Sequence, residues 1–161
     1  MKQIIFLLLT ISVMACGSGG DPAPTPTPTP PTPTVSVATL VKKVWTVSSA
    51  QWDGVTKYDK SSTTNVVQGY SQYKLDLSTA GSVTLTEFDG KIFTGTYTVA
   101  TDGLSLTLNG LTSADGAPTG TGGTIIYSIL VTPTATSLSI QQTTAYVKAS
   151  SAIVKLALVN P

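Results

Sequence analysis

Apolar and polar residues alternate over much of the chain, which is the period expected of β-strands with one buried face. Tyr73, Leu75 and Leu77 fall on one face of such a segment, and Val83 and Leu85 share a face in the next. The positions between them are mostly Ser, Thr, Lys and Asp. The pattern predicts strands near residues 45–52, 68–78, 82–88, 91–100, 104–109, 124–132, 137–146 and 151–159.

Asp-Gly pairs separate several of the predicted strands. Asp89-Gly90 and Asp102-Gly103 are typical of tight hairpins, because a type I′ turn needs positive φ at both central residues. They predict an antiparallel meander with one face packed inward and the other in water. Residues 53–67 and 110–123 lack the alternation and are predicted to be loops.

The order of the elements favours one fold class. Residues 36–44 form the single helical candidate, one or two turns long, with Ser36 as its cap. A short helix followed by sequential hairpins predicts an all-β, eight-stranded antiparallel up-and-down barrel, since closure removes exposed sheet edges. A Greek-key β-sandwich is the alternative.

Residues 1–15 have the composition of a secretory signal peptide. Lys2 precedes an apolar run of ten residues, which is about half the ~20 needed to span a membrane. The run ends at VMAC, which resembles the bacterial lipobox, where cleavage precedes the cysteine. The resemblance implies that Cys16, the single cysteine, carries the acyl chains that tether the protein to a membrane. An ordinary signal peptide with a coincidental cysteine is the alternative.

Residues 16–34 predict a linker between this anchor and a domain. Seven of the ten prolines lie in residues 21–34, which favours polyproline II and a reach of roughly 43 Å at ~3.1 Å per residue. A spacer is expected, with a Pro-rich recognition ligand as the alternative. Gly17 after the cysteine favours the outer membrane of a Gram-negative envelope. Residues 35–161 remain for one globular domain.

The composition excludes several kinds of chemistry. The chain has 161 residues, no histidine and a net charge of +1, and its nine basic residues are all lysine. A His-containing triad and a His- or Cys-ligated metal site are therefore excluded within one chain, and no basic patch for nucleic acid is expected. Ser71 and Lys74 match S-x-x-K, but in a strand they point to opposite faces. Neither a cofactor nor a metal is predicted.

The domain resembles the lipocalin-like domain of many Bacteroidota lipoproteins. The segments that carry the resemblance are LVKKVWTV from residue 40, WDG from 52, YKLDL from 73, GSVTL from 81, FTGTYTV from 93 and DGLSLTL from 102. Trp45 matches the Trp of the family's G-x-W motif, whose glycine is replaced here by Lys43. The resemblance implies a barrel with a small apolar interior and no particular ligand.

Aromatic side chains are the main candidates for recognition. Trp45, Phe93, Tyr97 and Tyr127 are expected to point inward, where they either line a ligand cavity or simply fill the core. The protein is then a non-enzymatic, lipid-anchored module that binds a small apolar or amphiphilic ligand.

Two further aromatics support a different function. Trp52 and Tyr58 lie near strand ends or in loops and are expected to be exposed, which favours a surface module that contacts a glycan or a protein. Glu87 and Asp89 straddle a turn and are expected to face water, so acid–base catalysis is not predicted.

Overall fold

The computed structural model describes residues 35–161. They begin with one turn of helix, α1 (Val37–Leu40), whose N-terminus is capped by the Ser36 hydroxyl accepting from the Thr39 N–H at 3.3 Å. Nine strands follow: β1 (Val44–Trp52), β2 (Val55–Asp59), β3 (Lys74–Asp76), β4 (Ser82–Thr86), β5 (Ile92–Val99), β6 (Ser105–Thr112), β7 (Ile125–Val131), β8 (Ser137–Gln142) and β9 (Val154–Val159). No helix among these residues is long and apolar enough to cross a membrane.

Eight of the strands close into an antiparallel barrel. Each strand from β3 to β9 pairs with the next, and β1 completes the circle by pairing with β3 through Val44–Thr46 and with β9 through Thr46–Trp52. Sequential neighbours pair around the whole barrel, so the prediction of an up-and-down barrel is confirmed. The crossovers of a Greek-key sandwich are not part of this topology.

The ninth strand, β2, lies where a loop was predicted. It forms a two-residue hairpin with β1, in which Trp52 pairs with Val55 across Asp53 (φ 47°) and Gly54 (φ 81°). Both central residues have positive φ, as a type I′ turn requires. The prediction of a loop over residues 53–67 is therefore wrong at its start, although the Asp-Gly signal was present in the sequence.

The other two Asp-Gly hairpins use wider turns than predicted. Only Gly90 and Gly103 have positive φ there, whereas Asp89 and Asp102 do not. Each aspartate instead accepts a hydrogen bond from the backbone N–H two residues ahead, at 3.0 Å from Lys91 and 2.9 Å from Leu104. The hairpins are present, but the tight type I′ geometry was wrong at these two turns.

The alternating apolar residues fill the barrel. The buried members include Leu75, Leu77, Val83, Leu85, Leu106, Leu108, Ile125, Ile129, Leu138, Ile140, Val154, Leu156 and Leu158. Leu104 and Val131 continue the alternation of these buried residues in the sequence, but they are 64% and 67% exposed. Leu104 lies in the turn before β6, and a register shift after Ile129 reverses the facing of Val131.

The two ends of the barrel differ. Around α1, the Trp45 indole N–H donates to the Val41 carbonyl at 2.8 Å, and the Lys43 ammonium donates to the Ala135 carbonyl. We call the opposite end the mouth. It is formed by the β1–β2 turn, a 3-10 helix (Gln68–Gln72), the β4–β5 turn, the β6–β7 loop (residues 113–124) and the β8–β9 loop (residues 143–153), which we call the cap loop.

Candidate functional site

The four aromatics predicted to point inward are all buried. Trp45 and Phe93 are packed in the core, and the Tyr97 hydroxyl donates to the Leu77 carbonyl at 3.1 Å. Of the four, Tyr127 borders an enclosed space in the barrel. Trp45, Phe93 and Tyr97 therefore lie in the core as packing residues, which is the second of the two possibilities that the sequence left open.

The enclosed space lies at the mouth end and is very small. A water can occupy only about 10 Å³ of it, which is about enough for one molecule. Its wall combines apolar side chains with an unusual concentration of tyrosine and polar groups: Tyr70, Tyr73, Leu85, Glu87, Phe88, Tyr127, Gln142, Tyr146, Val154 and Leu156. The barrel interior is thus filled, and its polar groups gather at one end.

Glu87, the one glutamate of the chain, is at the centre of these polar groups. It is only 2% exposed, so the expectation that it faces water is wrong. The Tyr146 hydroxyl donates to its Oε1, and the Lys148 ammonium donates to its Oε2. Both partners come from the cap loop, so Glu87 fastens this loop to the barrel wall.

Lys148 joins Glu87 to a second carboxylate. Its Nζ lies 2.8 Å from Asp89 Oδ2 and 5.4 Å from the centre of the Phe93 ring, and the side chain is 14% exposed. Burial alone would lower the pKa of Lys148, but its hydrogen bonds to Asp89 and Glu87 raise it above the ordinary value. We call Glu87, Asp89, Tyr146 and Lys148 the polar cluster.

Tyrosine hydroxyls extend the polar cluster into the barrel. The hydroxyls of Tyr73 and Tyr127 lie 3.3 Å apart, and the Trp52 indole N–H donates to the Tyr70 hydroxyl at 2.9 Å. Burial raises the pKa of Tyr127 to about 12, although the hydrogen bond with Tyr73 and the nearby Gln142 side chain act in the opposite direction. Burial also raises the pKa of Tyr73 well above its ordinary value.

Gln142 has an unsatisfied oxygen beside these tyrosines. Its side chain lies on the inner face at the end of β8 and is 6% exposed. Its Oε1 is buried and finds no hydrogen-bond partner among residues 35–161. A buried acceptor without a donor costs roughly 1–3 kcal/mol, so this oxygen favours a donor such as a water or a ligand hydroxyl.

A cleft on the surface meets the enclosed space at Gln142 and Tyr146. It has a volume of about 330 Å³ and lies between the β6–β7 loop and the cap loop. We call it the mouth cleft. It is lined by Gly120, Thr121, Thr124, Ile125, Ile126, Gln142, Thr143, Thr144, Ala145 and Tyr146.

Trp52 and Tyr58 do not form the exposed pair expected from the sequence. Tyr58 is only 6% exposed, because the β1–β2 hairpin turns its side chain toward Tyr70, with ring centres 6.1 Å apart. Trp52 is half-buried, packs against Phe88 at 6.1 Å, and lies 5.7 Å below the Lys57 ammonium. The expected exposure of Tyr58 is therefore wrong, and that of Trp52 is only partial.

Two residues of the mouth could have been found from the sequence. Glu87 follows Val83 and Leu85 at a spacing of two residues, so it continues their inward-facing pattern. Gln142 continues the pattern of Leu138 and Ile140 in the same way. Tyr146 and Lys148 follow no such alternation, because they lie in and beside a 3-10 helix (Val147–Ala149).

The mouth offers hydrogen-bonding groups to a ligand. Across residues 35–161, no three acidic side chains lie close enough together to hold a metal ion. The buried carboxylate of Glu87 already has a cation and a hydroxyl as partners. What remains open is the Gln142 oxygen and the hydroxyl-rich wall of the mouth cleft.

Comparison with solved structures gives a structural neighbour of this chain. The chain matches the crystal structure of a lipocalin-like protein from Bacteroides uniformis, with 13% sequence identity and a TM-score of 0.47, over 74% of this chain and 96% of that one. No protein-family model and no curated protein matches the sequence.

Proposed function

We propose that the protein is a non-catalytic binding module, anchored by lipid to the bacterial cell envelope, whose small ligand lies in the mouth cleft. This places the ligand at the end of the barrel rather than in its interior. The described chain starts at Val35, at the α1 end, and the mouth is at the opposite end of the barrel.

The observation that carries the proposal is the contrast between the two spaces at the mouth. The enclosed space holds about one water, whereas the mouth cleft has about 330 Å³, at the lower end of the roughly 300–1,000 Å³ typical of small-ligand sites. Gln142 borders both spaces and has an unsatisfied oxygen. A ligand in the cleft therefore meets a preformed polar group.

A larger groove, of about 460 Å³, lies at the α1 end but supports the proposal less well. It is bounded by Val35, the first of the described residues. It also lacks an unsatisfied buried polar group like that of Gln142 among the residues that line it.

Native mass spectrometry of the full protein, purified gently from its own envelope, tests the site. Ile126→Trp places a bulky ring in the cleft from an outward position of β7, and a bound ligand should then be lost. Leu130→Trp is the matched control, because Leu130 is an outward residue of the same strand with nearly the same exposure, 40% against 41%. A ligand that is absent from the wild type, or kept by Ile126→Trp, contradicts the proposal.

The lipid anchor is a separate part of the proposal and rests on Cys16, which lies outside the described residues. The mature protein should partition into the detergent-rich phase of a phase-separating detergent, and its N-terminal peptide should carry the mass of acyl chains. The Cys16→Ser variant should either partition into the aqueous phase or accumulate as the uncleaved precursor. Aqueous partition of the mature wild-type protein would rule out the anchor and leave the binding site untouched.

A further inference from the structure

We infer that the ligand of the mouth cleft is a neutral, hydroxyl-bearing molecule about the size of one saccharide unit, and that Gln142 is the residue that selects it. This inference rests on the proposed function and specifies the chemical class of its ligand. It is carried by the wall of the cleft, the position of the charges behind it, and the unsatisfied oxygen of Gln142.

The wall of the mouth cleft offers no charge to a ligand. All ten residues that line it are uncharged, and four of them are threonines. The nearest buried charges belong to Glu87 and Lys148, which are paired with each other behind the Tyr146 ring. A charged ligand would lose hydration in the cleft without gaining a counter-charge, so the cleft favours a neutral one.

The threonines of the cleft differ in what they can offer. Thr121 donates its hydroxyl to the Pro118 carbonyl at 2.8 Å, and Thr143 donates to the Ile126 carbonyl at 3.3 Å. The first bond lies within the β6–β7 loop and the second joins the cap loop to β7, so both hydroxyls are already engaged. Thr124 and Thr144 are exposed, one on each side of the cleft, and their hydroxyls can both donate to and accept from a ligand.

Gln142 supplies the polar contact at the base of the cleft. Its amide combines an acceptor oxygen with a donor nitrogen, which is the complement of a hydroxyl group that donates and accepts at once. The oxygen has no donor among the described residues and is buried beside Tyr127 and Tyr146. Because the oxygen is buried, a ligand hydroxyl in the cleft reaches it through one water in the 10 Å³ space.

The size and composition of the cleft limit the ligand further. A volume of about 330 Å³ suits one small ring better than a long acyl chain. Ile125, Ile126 and Tyr146 add apolar surface between the hydroxyl groups, which suits the mixed apolar and hydroxyl faces of a sugar ring. The inner aromatics, by contrast, leave no room for an apolar ligand inside the barrel.

The charge requirement can be tested with three probes of one carbon skeleton. At about pH 6, D-glucose is neutral, D-glucosamine is a cation and D-glucuronate is an anion, and all three keep the six-membered ring. The full protein is titrated by NMR in phosphocholine detergent, because this detergent brings no sugar head group. Addition of glucose should change the chemical shifts of the Thr124, Thr144 and Gln142 backbone amides. The affinity for each charged probe should be at least about tenfold lower.

The role of Gln142 is tested with Gln142→Leu and Gln142→Met, two apolar replacements of similar size. Either variant should weaken glucose binding by about tenfold or more, because the ligand hydroxyl loses its hydrogen-bond partner in the site. Gln141→Leu is the matched control, since Gln141 is the neighbouring residue on the other face of β8 and should leave binding unchanged.

The outcomes separate this inference from the proposed function. Absence of shifts at the cleft with all three probes, or equal affinity for a charged probe, overturns the neutral hydroxyl-bearing class. Unchanged glucose affinity in a folded Gln142 variant overturns the role of that residue. A co-purified ligand that is displaced by Ile126→Trp still upholds the cleft as a binding site in either case.

Discussion

The Tyr146 hydroxyl donates a hydrogen bond to Glu87 Oε1, which joins the cap loop to the end of β4 inside the mouth of the barrel. Lys148, two residues further along the loop, contacts the other oxygen of the same carboxylate. One buried side chain thus holds two points of an irregular loop. The mouth cleft, which shares Tyr146 with the polar cluster, depends on that attachment for its shape.

Replacing Glu87 should destabilise the protein strongly. Glu87→Gln leaves Lys148 with only Asp89 as a charged partner in a mostly buried position, and loss of one member of a buried pair costs about 3–5 kcal/mol. The free energy of unfolding, measured by urea titration, should fall by about 3 kcal/mol, because Gln keeps the contact with Tyr146. Asp89→Asn is the control and should cost about 1 kcal/mol or less, since Asp89 is more exposed.

The buried tyrosines predict a loss of stability at high pH. The pKa of Tyr127 is raised from 10.0 to about 12, so its contribution is complete below pH 10 and is lost as the pH rises through 12. Between pH 9 and pH 11 this residue alone should reduce the free energy of unfolding by about 1.3 kcal/mol. Tyr127→Phe should show a correspondingly smaller decrease over the same interval.

Ionisation of the tyrosines between pH 9 and pH 11 can also be followed by absorbance. Tyrosinate absorbance near 295 nm should stay low for the buried tyrosines of the folded protein at pH 11 and rise when urea unfolds it. Tyr70, Tyr73 and Tyr146 also have raised pKa values, chiefly because they are buried, and they should add to the effect. Full ionisation of all six tyrosines in the folded state at pH 11 would contradict the buried positions.

Gly69 should not tolerate a side chain. A Cβ at this position would collide with the Phe88 carbonyl oxygen, so Gly69→Ala forces apart the 3-10 helix and the β4–β5 turn. We expect a loss of about 1–3 kcal/mol in the free energy of unfolding. Gly81→Ala is the control, because its Cβ meets no atom within 4 Å and its cost is limited to the positive φ of 74°. A larger effect at Gly81 than at Gly69 would contradict the close contact.

Trp45 should stabilise the α1 end rather than take part in binding. Trp45→Phe removes the indole N–H that donates to Val41 and leaves a small cavity in the core, at a combined cost of about 2–3 kcal/mol. Thermal unfolding followed by circular dichroism should show the lower melting temperature. Ligand binding at the mouth should be unchanged, because Trp45 is near the opposite end of the barrel.

Period-two alternation predicted the barrel well because strands with one buried face leave a direct record in the sequence. Tyr73, Leu75 and Leu77 are buried, as predicted, and so are Leu106 and Leu108. The errors arise where alternation stops. A register shift turns Val131 outward. Glu87 was expected to be exposed because it precedes an Asp-Gly turn, but its side chain is buried.

The candidate site was predictable only in part, because it combines strand ends with an irregular loop. Gln142 and Glu87 continue inward faces and could have been placed inside the barrel by parity. Their partners Tyr146 and Lys148 come from the cap loop, whose path includes two serines with left-handed backbone, Ser150 and Ser151. Such a path depends on tertiary contacts that local patterns do not encode.

The pairing of β1 with β9 determines when the barrel can form. Thr46 pairs with Val159, so β1 cannot complete its pairing before β9 has been synthesised. Closure of the barrel therefore requires nearly the whole domain. Pairings between such distant segments fold slowly, and the barrel stays open until β9 is available. Once both ends are present, closure leaves the first and last strands of the barrel without free edges toward each other, which protects the closed barrel from edge-to-edge aggregation.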